Sequence, residues 1–136
     1  TVGWAVITGT VATQREIDGG DSLNERCVPY IAAGPLWSLY GGAVLASTAA
    51  APLATTAYYG VHVFDNDSSF LKISGGDATI GAGGVFGHSG LGIGQNFDGT
   101  ANFWDGYVLE YCIWPSTIAS TDLSELESYF STKWGI

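Results

Sequence analysis

Apolar and polar positions alternate along this chain in short blocks. Apolar runs at residues 4–11, 27–32, 36–45, 58–64, 70–73, 85–93 and 104–114 are separated by clusters of Gly, Asp, Asn, Ser and Pro. That spacing predicts an all-β chain of short strands arranged as a two-sheet antiparallel sandwich. In the last run Tyr107, Leu109, Tyr111 and Ile113 fall on one face of a strand, and Val108, Glu110, Cys112 and Trp114 on the other. Both faces are mostly apolar, so this strand is expected to lie buried between layers. Pro115 ends it, because proline has no amide to give the ladder.

The period then changes from strand to helix. Leu123, Leu126, Phe130 and Trp134 make one helical stripe, and Asp122 followed by Glu125 reads as a capping box. Gly135 sits where a helix commonly exits through a left-handed residue. A helix from Asp122 to Trp134 is therefore expected to pack Leu126 and Phe130 against the sandwich. Residues 46–57 are low in complexity and fit a short helix or a packed loop, with Pro52, Thr55 and Thr56 favouring the loop. Between Ser74 and Asn96 glycine is so frequent that the backbone must turn tightly or approach a neighbour closely.

The order of these closing elements resembles the C-terminal end of the concanavalin A-like, laminin-G-like jelly rolls, in the variant common in phage structural and bacterial surface proteins. That variant closes with a strand of the type Gly-x-x-x-Glu, matched by Gly106 and Glu110. A helix ending Tyr-x-x-x-Lys-Trp-Gly follows it, matched by Tyr129, Lys133, Trp134 and Gly135. The likeness extends back to the hairpin at residues 59–76 and to Leu91-Gly92-Ile93-Gly94-Gln95-Asn96; it holds from about Tyr58 onward, and residues 1–57 match loosely. It implies one jelly-roll domain over residues 1–136, with one C-terminal α-helix, as part of a virion or surface structural protein. It also implies a structural role for Glu110, not a catalytic one.

Composition narrows the partners. A hydrophobic fraction of 46% with only 12% charged residues leaves an unusually neutral surface, which points to cover by neighbouring subunits in a homo-oligomer or multicopy assembly. The net charge of −9, from 13 acidic against 4 basic residues, repels nucleic acid and anionic membranes alike. No apolar run reaches the length of a membrane span, and no signal peptide is visible. The absence of methionine, even at position 1, points to a processed product or a piece of a longer chain. The glycine-rich stretch does not spell Gly-x-Gly-x-x-Gly after a strand, so nucleotide binding has no support.

Four constellations can carry chemistry, each with a plainer rival. Glu16 and Asp18 alternate as the acid and nucleophile of laminarinase-type glucanases do, which places carboxyl groups about 5 Å apart. Gly19-Gly20 and the missing third carboxylate favour an exposed loop instead. Asp65, Asn66 and Asp67, followed by Ser68 and Ser69, offer hard oxygens for calcium, with Asp77 or Asp98 joining from adjacent loops. The rival is a hairpin turn. Asn66-Asp67-Ser68 is also a glycosylation sequon, relevant only in a eukaryotic secreted protein. Asn96, Phe97, Asp98, Asn102, Trp104 and Asp105, with Phe103 and His88 nearby, combine flat apolar faces with amide and carboxylate groups, as glycan recognition requires. Here the rival is that Phe103 and Trp104 cap the core. Cys27 and Cys112 fit either one disulfide or two packed thiols. His62 in a strand and His88 in a loop give neither cysteine a metal-ligand spacing.

The reading that joins these features is a non-catalytic module on a virion surface or in the extracellular space, serving decoration, display or adhesion. It needs no cofactor unless calcium occupies the Asp65 turn. Its partners are neighbouring subunits and host surface polysaccharide, bound weakly and through many copies. The runner-up is a glucanase-like hydrolase acting through Glu16 and Asp18; the third reading is a purely structural cementing domain.

Overall fold

The computed structural model describes residues 1–11, 15–17, 28–32, 34–47, 49–84, 90–95 and 99–136. Among them the chain forms β1 (Val2–Thr8), β2 (Arg15–Glu16), β3 (Val28–Ala32), β4 (Leu36–Tyr40), β5 (Val44–Ala46), β6 (Ala57–Val63), β7 (Ser69–Ile73), β8 (Thr79–Gly81), β9 (Gly106–Ile113) and one helix, α1 (Ser120–Trp134). The strands make two antiparallel sheets, one ordered β8-β7-β6-β1-β9 and the other β2-β3-β4-β5. The predicted sandwich of short strands with one closing helix is present.

The run at residues 36–45 is a hairpin, not one strand. Gly41 and Gly42 break it, with Gly42 at φ 99°, a left-handed conformation that side chains resist. Residues 49–56 form a loop, so the helical alternative for that stretch falls away. The buried Thr8 ties this loop down: its hydroxyl donates to the carbonyls of Leu53 (2.5 Å) and Thr56 (3.0 Å), and its carbonyl accepts from the Thr55 amide (2.8 Å). Of the run at 85–93, residues 85–89 lie outside the described set.

Two cores follow from the alternation of β1. Val2, Trp4 and Val6 point between the sheets and meet Ile31, Trp37, Leu39, Leu71 and Ile73. Trp4 and Trp37 lie 5.2 Å apart between ring centroids, and Tyr58 meets Trp37 edge-on at the same distance. The Trp4 indole N–H donates to His62 Nδ1 at 3.3 Å, which gives the fully buried histidine a partner. Gly60 lies opposite Trp4 because a Cβ there would stand 2.2 Å from the indole ring. Ala5, on the other face of β1, belongs to the second core with Tyr59 and Phe130, between the five-stranded sheet and α1. Gly3 lets the helix approach, since a Cβ would stand 3.0 Å from Phe130 Cε2.

The strict alternation expected of β9 does not hold. Ala5 of β1 faces Glu110 while Val6 faces Val108, so Leu109 is an extra residue and forms a β-bulge. Val108 and Tyr111 consequently share the inter-sheet core, and Leu109 joins the helix-side core. Nor is β9 sealed between layers. It is an edge strand among the described residues, and Tyr107 and Ile113 at its ends are exposed.

Helix α1 starts two residues before Asp122, and the capping box does not form. Ala119 is already extended (φ −70°, ψ 156°), and its carbonyl accepts the Leu123 amide at 2.9 Å, so the N-cap lies there without a side-chain cap. Asp122 instead sits in the first turn, where a negative charge suits the helix dipole. The exit follows expectation. Gly135 adopts φ 69°, ψ 32°, and the amides of Gly135 and Ile136 both return to the Ser131 carbonyl.

Candidate functional site

Residues of the closing strand and helix converge on one carboxylate. Glu110 projects from the bulged part of β9 toward α1 and accepts from the Tyr129 hydroxyl (2.7 Å), the Trp134 indole N–H (3.0 Å) and the Lys133 ammonium (3.1 Å). Lys133 also donates to the Tyr129 hydroxyl at 2.6 Å. The Glu110 side chain is only 18% exposed. Burial by itself raises its pKa, but the hydrogen bonds from Tyr129, Trp134 and Lys133 and the lysine's charge outweigh that and hold it below the usual carboxyl range. Lys72 and Glu127, 2.6 Å apart, pin the middle of the helix to β7. This constellation is a clamp. It stabilises an ionised carboxylate and ties the helix to the closing strand.

Cys112 lies beside the clamp as a free thiol, its Sγ 3.9 Å from Glu110 Oε1. Burial first, then the negative charge of Glu110, push its pKa up, with Lys133 only partly opposing. The thiol therefore stays protonated at neutral pH and is a poor nucleophile. Alkylation of Cys112 by iodoacetamide, followed by peptide mass spectrometry, should run slower than that of a free model thiol. It should speed up in Glu110→Gln. Equal rates in the two proteins would show that the carboxylate does not govern the sulfur.

The candidate glycan residues separate. Asn96, Phe97, Asp98 and His88 lie outside the described residues. Asn102 is half-buried at φ 53°, at the end of the turn that leads to Phe103, whose ring is exposed. Trp104 takes the packing alternative: its indole lies against the inter-sheet core, with Nε1 buried and without a partner among the described residues, and its amide donates to the Gly94 carbonyl at 2.8 Å. Asp105 does something not expected. Its carboxylate accepts from the Thr10 amide at 2.9 Å and its carbonyl accepts from the Gly9 amide, so it fixes the loop that leaves β1 against the start of β9.

That junction opens into a cleft. A cavity of about 800 Å3 is walled by Val11, Pro35 and Ala54, with Thr10, Thr55 and Asp105 as its polar groups. A second, of about 490 Å3, shares Gly9, Thr55 and Asp105 with it and reaches Tyr107, whose side chain is 70% exposed. Tyr107, expected on a buried strand face, is instead exposed at this cleft. The available signal was its place immediately after Gly106, which adopts φ 142° at the point where the strand begins.

The Asp65 turn is a tight hairpin link between β6 and β7. Asn66–Ser68 form one 3-10 turn, Asn66 takes φ 48°, and the Asp65 and Asn66 carbonyls accept from Ser68 N (2.8 Å) and Ser69 Oγ (2.8 Å). Asp65, Asn66 and Asp67 are exposed, and among the described residues no three His, Cys, Asp or Glu side chains are grouped to hold a metal. Glu16 pairs with Tyr30 through its backbone in β2, but its side chain and all of Asp18 fall outside the description, as does Cys27. No helix among the described residues is long and apolar enough to cross a membrane. Comparison with protein-family models, curated proteins and solved structures returns no match.

Proposed function

We propose that this chain is a non-catalytic structural module of the concanavalin A-like, laminin-G-like jelly-roll type, used on a virion or cell surface for decoration or adhesion, with weak multivalent glycan binding. Its support is the combination of two antiparallel sheets, the helix docked by the Glu110 clamp, and the cleft at the β1–β9 junction. The observation that carries the binding activity is Tyr107. An exposed aromatic ring beside a cleft with apolar walls and the polar groups of Thr10, Thr55 and Asp105 offers a sugar both a stacking face and hydroxyl partners. The platform is thus Tyr107 in place of Trp104, which the core occupies.

Affinity at one such open site is about 1 mM, so useful adhesion takes many copies on one particle. The test displays wild type, Tyr107→Ala and Asn102→Ala multivalently on host surface polysaccharide after checking that each is folded. Tyr107→Ala should lose about tenfold in single-site affinity, equivalent to about 1.4 kcal/mol, and no new reducing ends should appear. Equal retention of all three would remove the glycan site. Reducing ends released by wild type would favour the hydrolase.

One observation favours the cementing role as a second reading. Leu36, Val44, Leu53, Ile80 and Ile113 are large apolar side chains left exposed on a surface with few charges. Contact with neighbouring subunits is the natural cover for them.

A further inference from the structure

Helix α1 buries one side and leaves another open. Asp122, Glu125, Leu126 and Tyr129 line that open side, and residues 114–118 run beside it as a strap, so that helix and strap enclose a groove of about 490 Å3. The strap is anchored at its start: the Thr1 nitrogen donates to the carbonyls of Trp114 (3.0 Å) and Ser116 (3.1 Å), and the Thr1 hydroxyl donates to Ser116 at 2.7 Å. Trp114, Ile118 and Leu126 give the groove its apolar wall, and Trp114 remains 36% exposed. Asp122 and Glu125 add two carboxylates.

Neither carboxylate has a cation among the described residues, and both lysines of the chain are committed elsewhere, Lys72 to Glu127 at 2.6 Å and Lys133 to Glu110 at 3.1 Å. Two negative charges three positions apart on one helix repel each other, and the net charge of −9 adds to that field. An apolar wall with an aromatic face, next to unneutralised carboxylates, is complementary to a cation on an apolar stem. We infer that this groove docks a lysine or arginine side chain from a basic segment of a partner protein. The methylenes lie on Trp114, Ile118 and Leu126, and the charged head reaches Asp122 and Glu125. The chain's own basic residues, Arg15, Arg26, Lys72 and Lys133, are scattered and form no basic segment, so the partner is a different protein.

The test titrates a tetralysine peptide, and the same peptide with acetylated side chains, into isotope-labelled protein at low salt. The shifts of the Trp114 indole and of the α1 amides are followed by NMR. The charged peptide should perturb Trp114 and the amides around Glu125, lose that effect as salt rises, and bind at least about tenfold more weakly to the Asp122→Asn/Glu125→Gln double variant. The Asp67→Asn/Asp77→Asn double variant removes the same charge from exposed turns away from the helix and should bind like wild type. Circular dichroism checks that both remain folded. Equal weakening in the two doubles would show attraction to net charge alone, and shifts that avoid Trp114, or equal binding of the acetylated peptide, would overturn the proposal.

Discussion

Phe130→Ala is expected to destabilise the protein by about 3–5 kcal/mol, the cost of removing a fully buried aromatic side chain and leaving its cavity. Phe130 is 0% exposed and stacks on Tyr59 at 6.0 Å between ring centroids, with Ala5 beneath it and Leu109, Leu126, Trp134 and Ile136 around it. No other α1 side chain is fully buried, so the second core depends on this one residue. Collapse into the hole is hindered because Gly3 and Ala5 on β1 have little or no side chain to move into it. Thermal unfolding should show a fall on the order of 10 °C. An unchanged melting temperature would mean that the helix is not docked on the sheet.

That dependence was readable in the sequence because helix periodicity is robust. Leu123, Leu126, Phe130 and Trp134 fall on one stripe whatever residue begins the helix, and the stripe survives the shift of the start to Ser120. The capping box failed for a local reason: Asp122 and Glu125 have the right spacing, yet the chain had already turned helical after Ala119. Strand periodicity is more fragile. A single extra residue at Leu109 exchanges the faces of everything beyond it, and nothing in Gly106-Tyr107-Val108-Leu109-Glu110 marks the bulge, which exists only in the register against Ala5 and Val6 of β1.

The same limit explains the site. Trp104 and Tyr107 are both large aromatics near the opening of one strand, and composition gives no means of telling which is spent on the core. The pairing of Trp104 with Gly94 and the contact of its ring with the inter-sheet core decide it, and both depend on residues distant in sequence. Asp105 was visible as a polar residue in the right loop, but its partners, Gly9 and Thr10, come from the opposite end of the chain. By contrast Glu110, Tyr129, Lys133 and Trp134 all fall in one resembling pattern, which implies a structural role for Glu110, and they meet in space as one clamp.

Glu110→Gln should cost about 1–3 kcal/mol at neutral pH, because an amide cannot accept from Tyr129, Trp134 and Lys133 as an ionised carboxylate does. The pH dependence separates this from simple loss of packing. Glu110 titrates lower in the folded chain than in the unfolded one, so its contribution is fully present above the unfolded value of about 4.3 and is lost as pH falls through the lowered folded value. Wild type and Glu110→Gln should therefore differ most in melting temperature at neutral pH and converge in acid. The remaining carboxylates act equally on both proteins and cancel in the difference. A gap that stays constant down to the acid limit would place the cost in shape, not charge. Glu110 does not line the cleft that reaches Tyr107, so the folded variant should retain the glycan binding proposed for that cleft, and selective loss of binding by a fully folded Glu110→Gln would reassign this carboxylate to the site.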